Sequence, residues 1–292
     1  MEVSSASLQV IADLLAEHTG QQLTESRRWR VSTALSRVFR ERGISNVDQL
    51  ACLLAGPADR GLVQDVVEAL LNNETYFFRD KPTFDQLPEQ IFPKLAEQRG
   101  REKALRIWCA GCSTGQEVHS IAIQFSEQPR RWEGWTIDIL GTDISTKAVT
   151  TARSGHYSQF EVQRGLSVQQ MLSHFDETAS GWQIQMDYPA NVRFQRHNVL
   201  DRAPGSQKFD LVLCRNVLLY FDPATREIAF NRLHDALRPD GFLMLGAGET
   251  VVGQTELFEP SVGKSSLYLP SSGTRTDSTL QPSTREPVPS QL

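Results

Sequence analysis

The segment RIWCAGCSTGQEVHSIA, Arg106–Ala122, decides the fold. It opens as a buried strand, turns through Gly111 and Gly115, and continues as a helix. Cys109 and Cys112 first raise a redox dithiol. Such a pair places its thiols at a helix N-terminus, where the dipole lowers the nucleophile's pKa. Here Cys109 falls inside the strand, and both glycines still precede the helix, which disfavours a dithiol. A structural zinc needs four ligands, and no second Cys or His pair stands at suitable spacing, so no metal is expected. The turn also lacks the Lys-Ser/Thr of a phosphate loop and the Gly-x-Gly-x-x-Gly of a dinucleotide site. What remains is strand, glycine turn, helix, and a second strand ending in GTDIS (141–145). Glycines at such a turn let a ligand approach the backbone, and an acid ending the next strand can accept both hydroxyls of a ribose. Asp143 is that acid. On these residues alone, a nucleoside-type site and a purely structural turn both stay open.

The same texture continues outward. Apolar bursts LRIWCA (105–110), WTIDILGT (135–142), FDLVLCRN (209–216) and GFLMLGA (241–247) alternate with helical stretches GQEVHSIAIQFSE, STKAVTTARSG and DPATREIAFNRLHDAL. Short buried strands alternating with helices predict an α/β domain on a mostly parallel sheet, over residues 81–270. Within it, WQIQMD (182–187) and NVRFQR (191–196) each alternate with a two-residue period, which predicts an inserted antiparallel hairpin over 181–196. Residues 1–80 read differently. LQVIADLLAEH, ESRRWRVSTALSRVFRER (stopped by Gly43), NVDQLACLLA and GLVQDVVEALL predict four helices of a separate all-helical domain. On the second helix Val31, Leu35, Val38 and Phe39 form the buried face, with Arg30, Arg37 and Arg40 on another side. The Ser, Thr and Pro tail, 271–292, has little to bury and is expected to be disordered.

Composition agrees with two packed units: 292 residues with 39% apolar side chains can bury a substantial core. Four cysteines in so long a chain are no disulfide framework. The polar N-terminus fits no secretory signal, and no run of about 18 apolar residues exists, so a cytoplasmic protein without membrane insertion is expected. A net charge of −5 argues against general nucleic-acid affinity.

Further segments carry a resemblance. NETYFFRD (73–80), STGQE (113–117), ARSGHYS (152–158), HNVLD (197–201) and CRNVLLYFD (214–222), in this order, resemble the chemotaxis receptor methyltransferases of the CheR family over roughly residues 8–270. The resemblance implies a helical N-terminal domain, a Rossmann-like methyltransferase domain and a small antiparallel β subdomain. It also implies methyl transfer from S-adenosylmethionine to glutamates of chemoreceptor cytoplasmic helices, with S-adenosylhomocysteine as product.

Carried over by motif, the resemblance assigns Glu117 and Asp143 to the cofactor's polar parts, with Asp143 on the ribose. Asn198 and Val199 would sit around the adenine, Arg215 and Asn216 would line the pocket, and Asn73, Thr75 and Arg79 would close it. Arg79 and Tyr220 are the expected catalytic pair, orienting the carboxylate. No general base is required, because a glutamate is already ionised at neutral pH. Phe77, Phe78, Cys109 and Cys214 read as core, and His119, His156 and His197 as structural or exposed. Arg30, Arg37 and Arg40 are expected to dock an acidic receptor helix, although the family often has a further arginine where this chain has Ala34. The short hairpin region implies independence of a receptor pentapeptide tether. A methyltransferase of this fold with another substrate, or an inactive cofactor-binding module, are the alternatives.

Overall fold

Residues 4–56, 59–261 and 266–271 are described by a computed structural model; most of the tail lies outside these residues. In chain order the strands are β1 (Ala104–Ala110), β2 (Thr136–Asp143), β3 (His156–Tyr157), β4 (Phe175–Thr178), β5 (Gly181–Ile184), β6 (Asn191–Arg196), β7 (Phe209–Cys214), β8 (Leu237–Leu245), β9 (Phe258–Pro260) and β10 (Leu267–Pro270). Among the described residues they form a seven-stranded sheet, ordered β6-β2-β1-β7-β8-β10-β9, and a three-stranded one, β3-β5-β4. In the large sheet β6 to β8 run parallel, and β10 is antiparallel to both β8 and β9. This is a Rossmann-like α/β fold.

Each apolar burst is nearly continuous because both faces of its strand are buried. Leu105, Ile107 and Cys109 of β1 pack with Val118, Ile121 and Phe125 of the helix Gln116–Ser126. Their alternates Trp108 and Ala110 pack with Phe230 and Leu233 of the helix Pro223–Ala236 on the other face. The strand order reverses between β1 and β7, which opens a crevice beyond their carboxyl ends. At the opposite end Asp210, fully buried, accepts from Arg99 Nε at 2.6 Å and from the Arg106 N–H at 2.8 Å, fastening β7 to its surroundings.

The expected hairpin over 181–196 does not form. β5 pairs with β4 through a turn at Thr178–Gly181, and the small antiparallel sheet spans 156–184. NVRFQR is instead β6, the parallel edge strand beside β2. Its alternation arises because an edge strand is half exposed; Asn191 and Arg193 face solvent while Val192 and Phe194 pack on the core.

The second predicted helix is not continuous either. It divides into Glu25–Arg28, Val31–Ala34 and Ser36–Arg42. At Arg30 and Leu35 ψ approaches zero (−8° and −2°), tightening the turns where β-branched Val31 and Thr33 crowd the helix. The path stays right-handed, so Val31, Leu35 and Val38 still reach the core of the helical unit, with Phe39 packed against it. That core runs from Ile11 to Leu70, whereas Phe77 and Phe78 belong to the core of the large sheet. No helix among the described residues is long and apolar enough to cross a membrane.

His119, on the Gln116–Ser126 helix, is fully buried against the rings of Tyr157, Tyr188 and Phe194, and the Tyr188 hydroxyl lies 3.3 Å from Nδ1. Burial pulls its pKa down to about 4. The unfolded chain therefore binds a proton near pH 6.5 that the folded chain refuses until about pH 4. Stability is complete above pH 6.5 and declines below it, by at most about 1.4 kcal/mol per pH unit. Urea unfolding at pH 7 and pH 5 should show a smaller loss in His119→Gln than in wild type, by roughly 1–2 kcal/mol. Equal losses would mean that His119 is not the group responsible.

Candidate active site

The turn after β1 sets the geometry of the crevice. Gly111 and Gly115 both have positive φ, +79° and +95°. A Cβ at Gly111 would meet Val217 Cγ2 at 2.3 Å, and one at Gly115 would meet the Ala152 Cβ at 2.8 Å. Both glycines thus answer neighbours within the chain, and Gly111 also lines the cleft. Cys109 and Cys112 are free and buried, and burial pushes both thiols well above their ordinary pKa, the opposite of an activated dithiol.

Asp143 ends β2 at the crevice. One carboxylate oxygen accepts from the Ser113 N–H at 2.8 Å and the other from the Ser145 N–H at 2.9 Å. Burial raises its pKa, while these two bonds favour the anion. The carboxylate keeps acceptor capacity for a further donor. Behind it stands Glu68 of the helix Arg60–Leu70, buried and accepting from Ser145 Oγ at 2.5 Å and the Thr146 N–H at 2.7 Å. A carboxylate of the helical unit thereby caps the first turn of the helix Thr146–Ser154 and seats the loop that carries Asp143.

The segment Asn72–Asp80 crosses the crevice as a strap. Asn73 offers its carbonyl to Ser113 Oγ at 2.7 Å, and Arg79 Nη1 donates to the Glu74 carbonyl at 2.8 Å. Phe78 and Asp80 hold positive φ, +51° and +56°, a strained path that needs fixing from outside. Arg215 supplies part of that fixing. Its buried guanidinium bonds Glu117 at 2.9 Å, the Arg79 carbonyl at 2.6 Å and Asp80 at 3.1 Å. Arg215 lines the cleft as expected, but its charge is spent on the strap and on Glu117.

Tyr220 ends a 3₁₀ turn, Leu218–Tyr220, after Asn216, which itself has φ +61°. Both are held by Glu249 from the loop after β8. Its two oxygens accept four main-chain N–H groups: Asn216 at 2.7 Å, Val217 at 3.0 Å, Leu219 at 3.3 Å and Gly246 at 2.9 Å. The Tyr220 hydroxyl accepts from Asn72 Nδ2 at 2.6 Å.

These elements enclose a cleft with about 780 Å³ of empty space, its open mouth included. It is lined by Asn73, Thr75, Arg79, Glu117, Asp143, Asn198, Val199, Arg215, Asn216 and Tyr220, so every expected cofactor-binding and catalytic residue converges there. Arg30, Arg37 and Arg40 do not line it. All three are exposed, and Arg37 is engaged by Glu41 at 2.6 Å, as expected of a helix-surface ion pair.

Several lining residues had no signal in the sequence. Thr19 and Gln21 reach the cleft from the end of the first helix, because Gln21 bridges to Phe221 and the Gln22 N–H donates to the Tyr220 carbonyl at 2.7 Å. His197, read as structural, also lines it. Gln21 Oε1, His197 Nδ1, Arg215 Nε and Asn216 Oδ1 are buried polar atoms with no protein partner. Buried polar groups without partners are costly and rare, so four on residues around one cleft point to a polar ligand.

Comparison with known proteins agrees with this geometry. Residues 73–266 match the family model described as CheR methyltransferase, SAM binding domain. Chemotaxis protein methyltransferase Cher2 of Pseudomonas putida is 32% identical over 249 residues, spanning 84% of this chain and 90% of that one. Chemotaxis protein methyltransferase 1 of Pseudomonas aeruginosa is 32% identical over 255 residues, 86% of this chain and 92% of that one. A chemotaxis protein methyltransferase of Vibrio parahaemolyticus is 30% identical over 260 residues, 88% and 94% of the two chains. With a family match over the strap, the sheet and the cleft, and relatives aligned along most of its length, the chain belongs to the CheR methyltransferase family and uses S-adenosylmethionine.

Proposed function

We propose that the chain transfers the methyl group of S-adenosylmethionine to glutamate side chains of chemoreceptor cytoplasmic helices, forming methyl esters. The observation that carries the reading is the bond from Asn72 Nδ2 to the Tyr220 hydroxyl at 2.6 Å. The phenol accepts from the amide and keeps its own proton to donate, which suits an anionic carboxylate arriving at the cleft.

The residues fit the cofactor. Asp143 would accept from the ribose hydroxyls, Glu117 and Asn216 would accept from the α-amino group, and Asn198 and Val199 would flank the adenine, all of them lining the one cleft. When bound, the cofactor supplies a methyl group on a positively charged sulfur, a good leaving group. Arg79 and Tyr220 then orient the carboxylate, and Asn73 and Thr75 on the strap exclude water. No group in this scheme takes a proton, since the nucleophile is already ionised.

Of the docking stripe, Arg30 and Arg40 keep their charge facing solvent, while Arg37 shares its charge with Glu41. The helical unit, residues 1–80, presents this stripe and ends in the strap that brings Arg79 to the cleft, whose remaining walls come mostly from residues 81–270. Recruitment is tether-independent in this reading. β3, β4 and β5 have only two, four and four residues, so an added peptide strand would gain few main-chain hydrogen bonds. The chain works in the cytoplasm, where those receptor helices lie.

The test uses methyl-labelled S-adenosylmethionine and a chemoreceptor cytoplasmic fragment. Label released by mild alkali is the expected result, because methyl esters hydrolyse there. Alkali-stable label, or none, would overturn the reading.

A further inference from the structure

The strap that carries Arg79 is clasped from a second side, by the small antiparallel sheet and its helices. Two short helices, Gln159–Gln163 and Val168–His174, flank a loop in which Gly165 turns through φ +100° and Ser167 caps the second helix. A Cβ at Gly165 would fall 1.8 Å from the Phe77 carbonyl oxygen, so only glycine lets this loop lie against the strap's main chain. The Phe77 ring meets Tyr157 and Phe175 of the small sheet edge-on, with centroids 5.1 and 5.4 Å away. Beside Gly165, Arg164 reaches the strap twice. Its Nη2 donates to the Glu74 carboxylate at 2.9 Å, and its guanidinium lies over the Tyr76 ring, 4.1 Å from the centroid. This cation holds the Glu74 carboxyl below its usual range. Arg79 uses the same two residues. Its Nη1 donates to the Glu74 carbonyl at 2.8 Å, and its guanidinium stands 5.7 Å from the Tyr76 centroid. Arg79 lines the cleft and Arg164 does not.

We propose that Arg164 is a positioning residue for the reaction: from the small sheet's side it fixes Glu74 and Tyr76, and through them the aim of Arg79 at the substrate carboxylate. An arginine side chain has many rotamers, and a single bond to the Glu74 carbonyl leaves the rest of the Arg79 guanidinium free to swing. The Tyr76 ring removes that freedom only if the ring itself is held, and Arg164 stacks on it. An exposed ion pair adds little to stability, so losing Arg164 acts on geometry rather than on folding. The strap's other fastenings, from Ser113 to Asn73, from Phe78 to Ser120 and from Arg215 to the Arg79 carbonyl, do not involve Arg164 and keep the strap over the cofactor's side of the cleft. The inference rests on the methylation reading above and on the role it gives Arg79.

The experiment is a cycle of wild type, Arg164→Ala, Arg79→Ala and the double variant. Each is assayed for methyl-ester formation on a chemoreceptor cytoplasmic fragment at saturating S-adenosylmethionine, and titrated with S-adenosylhomocysteine. Arg164→Ala should lower kcat about tenfold, less than the roughly 100-fold of a full misplacement, because Arg79 keeps its bond to the Glu74 carbonyl. The S-adenosylhomocysteine Kd should stay within about twofold of wild type, and Tm should not move. In the Arg79→Ala background the same change should add almost nothing to the loss of kcat, since the group it aims is gone. Tyr76→Leu should match Arg164→Ala, while Tyr76→Phe, which keeps the ring, should recover most of the turnover. An unchanged kcat in Arg164→Ala, effects at Arg164 and Arg79 that multiply, or Tyr76→Phe as slow as Tyr76→Leu would overturn the proposal. So would a fall in kcat matched by a weakened Kd, which would tie Arg164 to the strap as a whole. If wild type forms no alkali-labile ester, the methylation reading falls and takes this role with it. If wild type methylates and the cycle shows no coupling, the role of Arg164 alone is wrong.

Discussion

Replacing Glu249 by alanine should lower turnover about 100-fold at saturating cofactor and receptor fragment, while the cofactor Kd moves much less. Glu249 touches neither ligand in the proposed scheme. It acts through the main chain, where its carboxylate gathers the N–H groups of Asn216, Val217, Leu219 and Gly246. Bonds from neutral donors to a charged acceptor are the strong ones, and here they hold Asn216 in a left-handed conformation and start the turn that ends at Tyr220. Without the acceptor, the turn relaxes and the phenol shifts, and a displacement near 1 Å at a reacting centre costs roughly two orders of magnitude in rate. Glu249→Gln should be nearly as harmful, since the amide turns one acceptor into a donor facing N–H groups. Steady-state turnover beside cofactor titration decides it. Turnover within twofold of wild type would show that Tyr220 is held by other contacts or is not needed.

How much of this was legible beforehand follows from the range of each interaction. The strand, glycine turn and helix at 104–126 are local, so apolar periodicity and the acid ending the next strand located Asp143 without any partner being known. Arg79, Asn198 and Tyr220 came through the family resemblance, because nothing in their own spacing says that three distant segments meet. Glu68 and Glu249 escaped both routes. Glu68 bonds the Thr146 N–H from 78 positions away, and Glu249 bonds the Asn216 N–H from 33 away, each a main-chain donor that leaves no pattern in side-chain type. A signal did exist for Glu249: it follows β8 in GET, just past the carboxyl end of a sheet strand, where an α/β fold gathers its site. The false hairpin at 181–196 shows the converse limit. A two-residue period reports half-exposure, and an edge strand of a parallel sheet is as half-exposed as a hairpin arm.

Asp143→Ala should weaken S-adenosylmethionine and S-adenosylhomocysteine alike, by roughly 10- to 150-fold, the equivalent of about 1.5–3 kcal/mol for a charge-assisted hydrogen bond. Both ligands carry the same ribose, and the proposed contact is to that shared part, so the ratio of the two affinities should stay constant. The variant also leaves the Ser113 and Ser145 N–H groups without their acceptor. Asp143→Asn separates these effects: its amide oxygen can still serve one N–H, while the charge that strengthens a ribose bond is gone. Affinity in Asp143→Asn should therefore lie between wild type and alanine. Glu68 sets a further expectation, because its carboxylate works on the same loop and its charge opposes ionisation of Asp143. Calorimetric titration of each variant with both ligands is the measurement. Unchanged affinity for both would sink the ribose assignment, and a loss confined to S-adenosylmethionine would move Asp143 to the sulfonium end of the cleft.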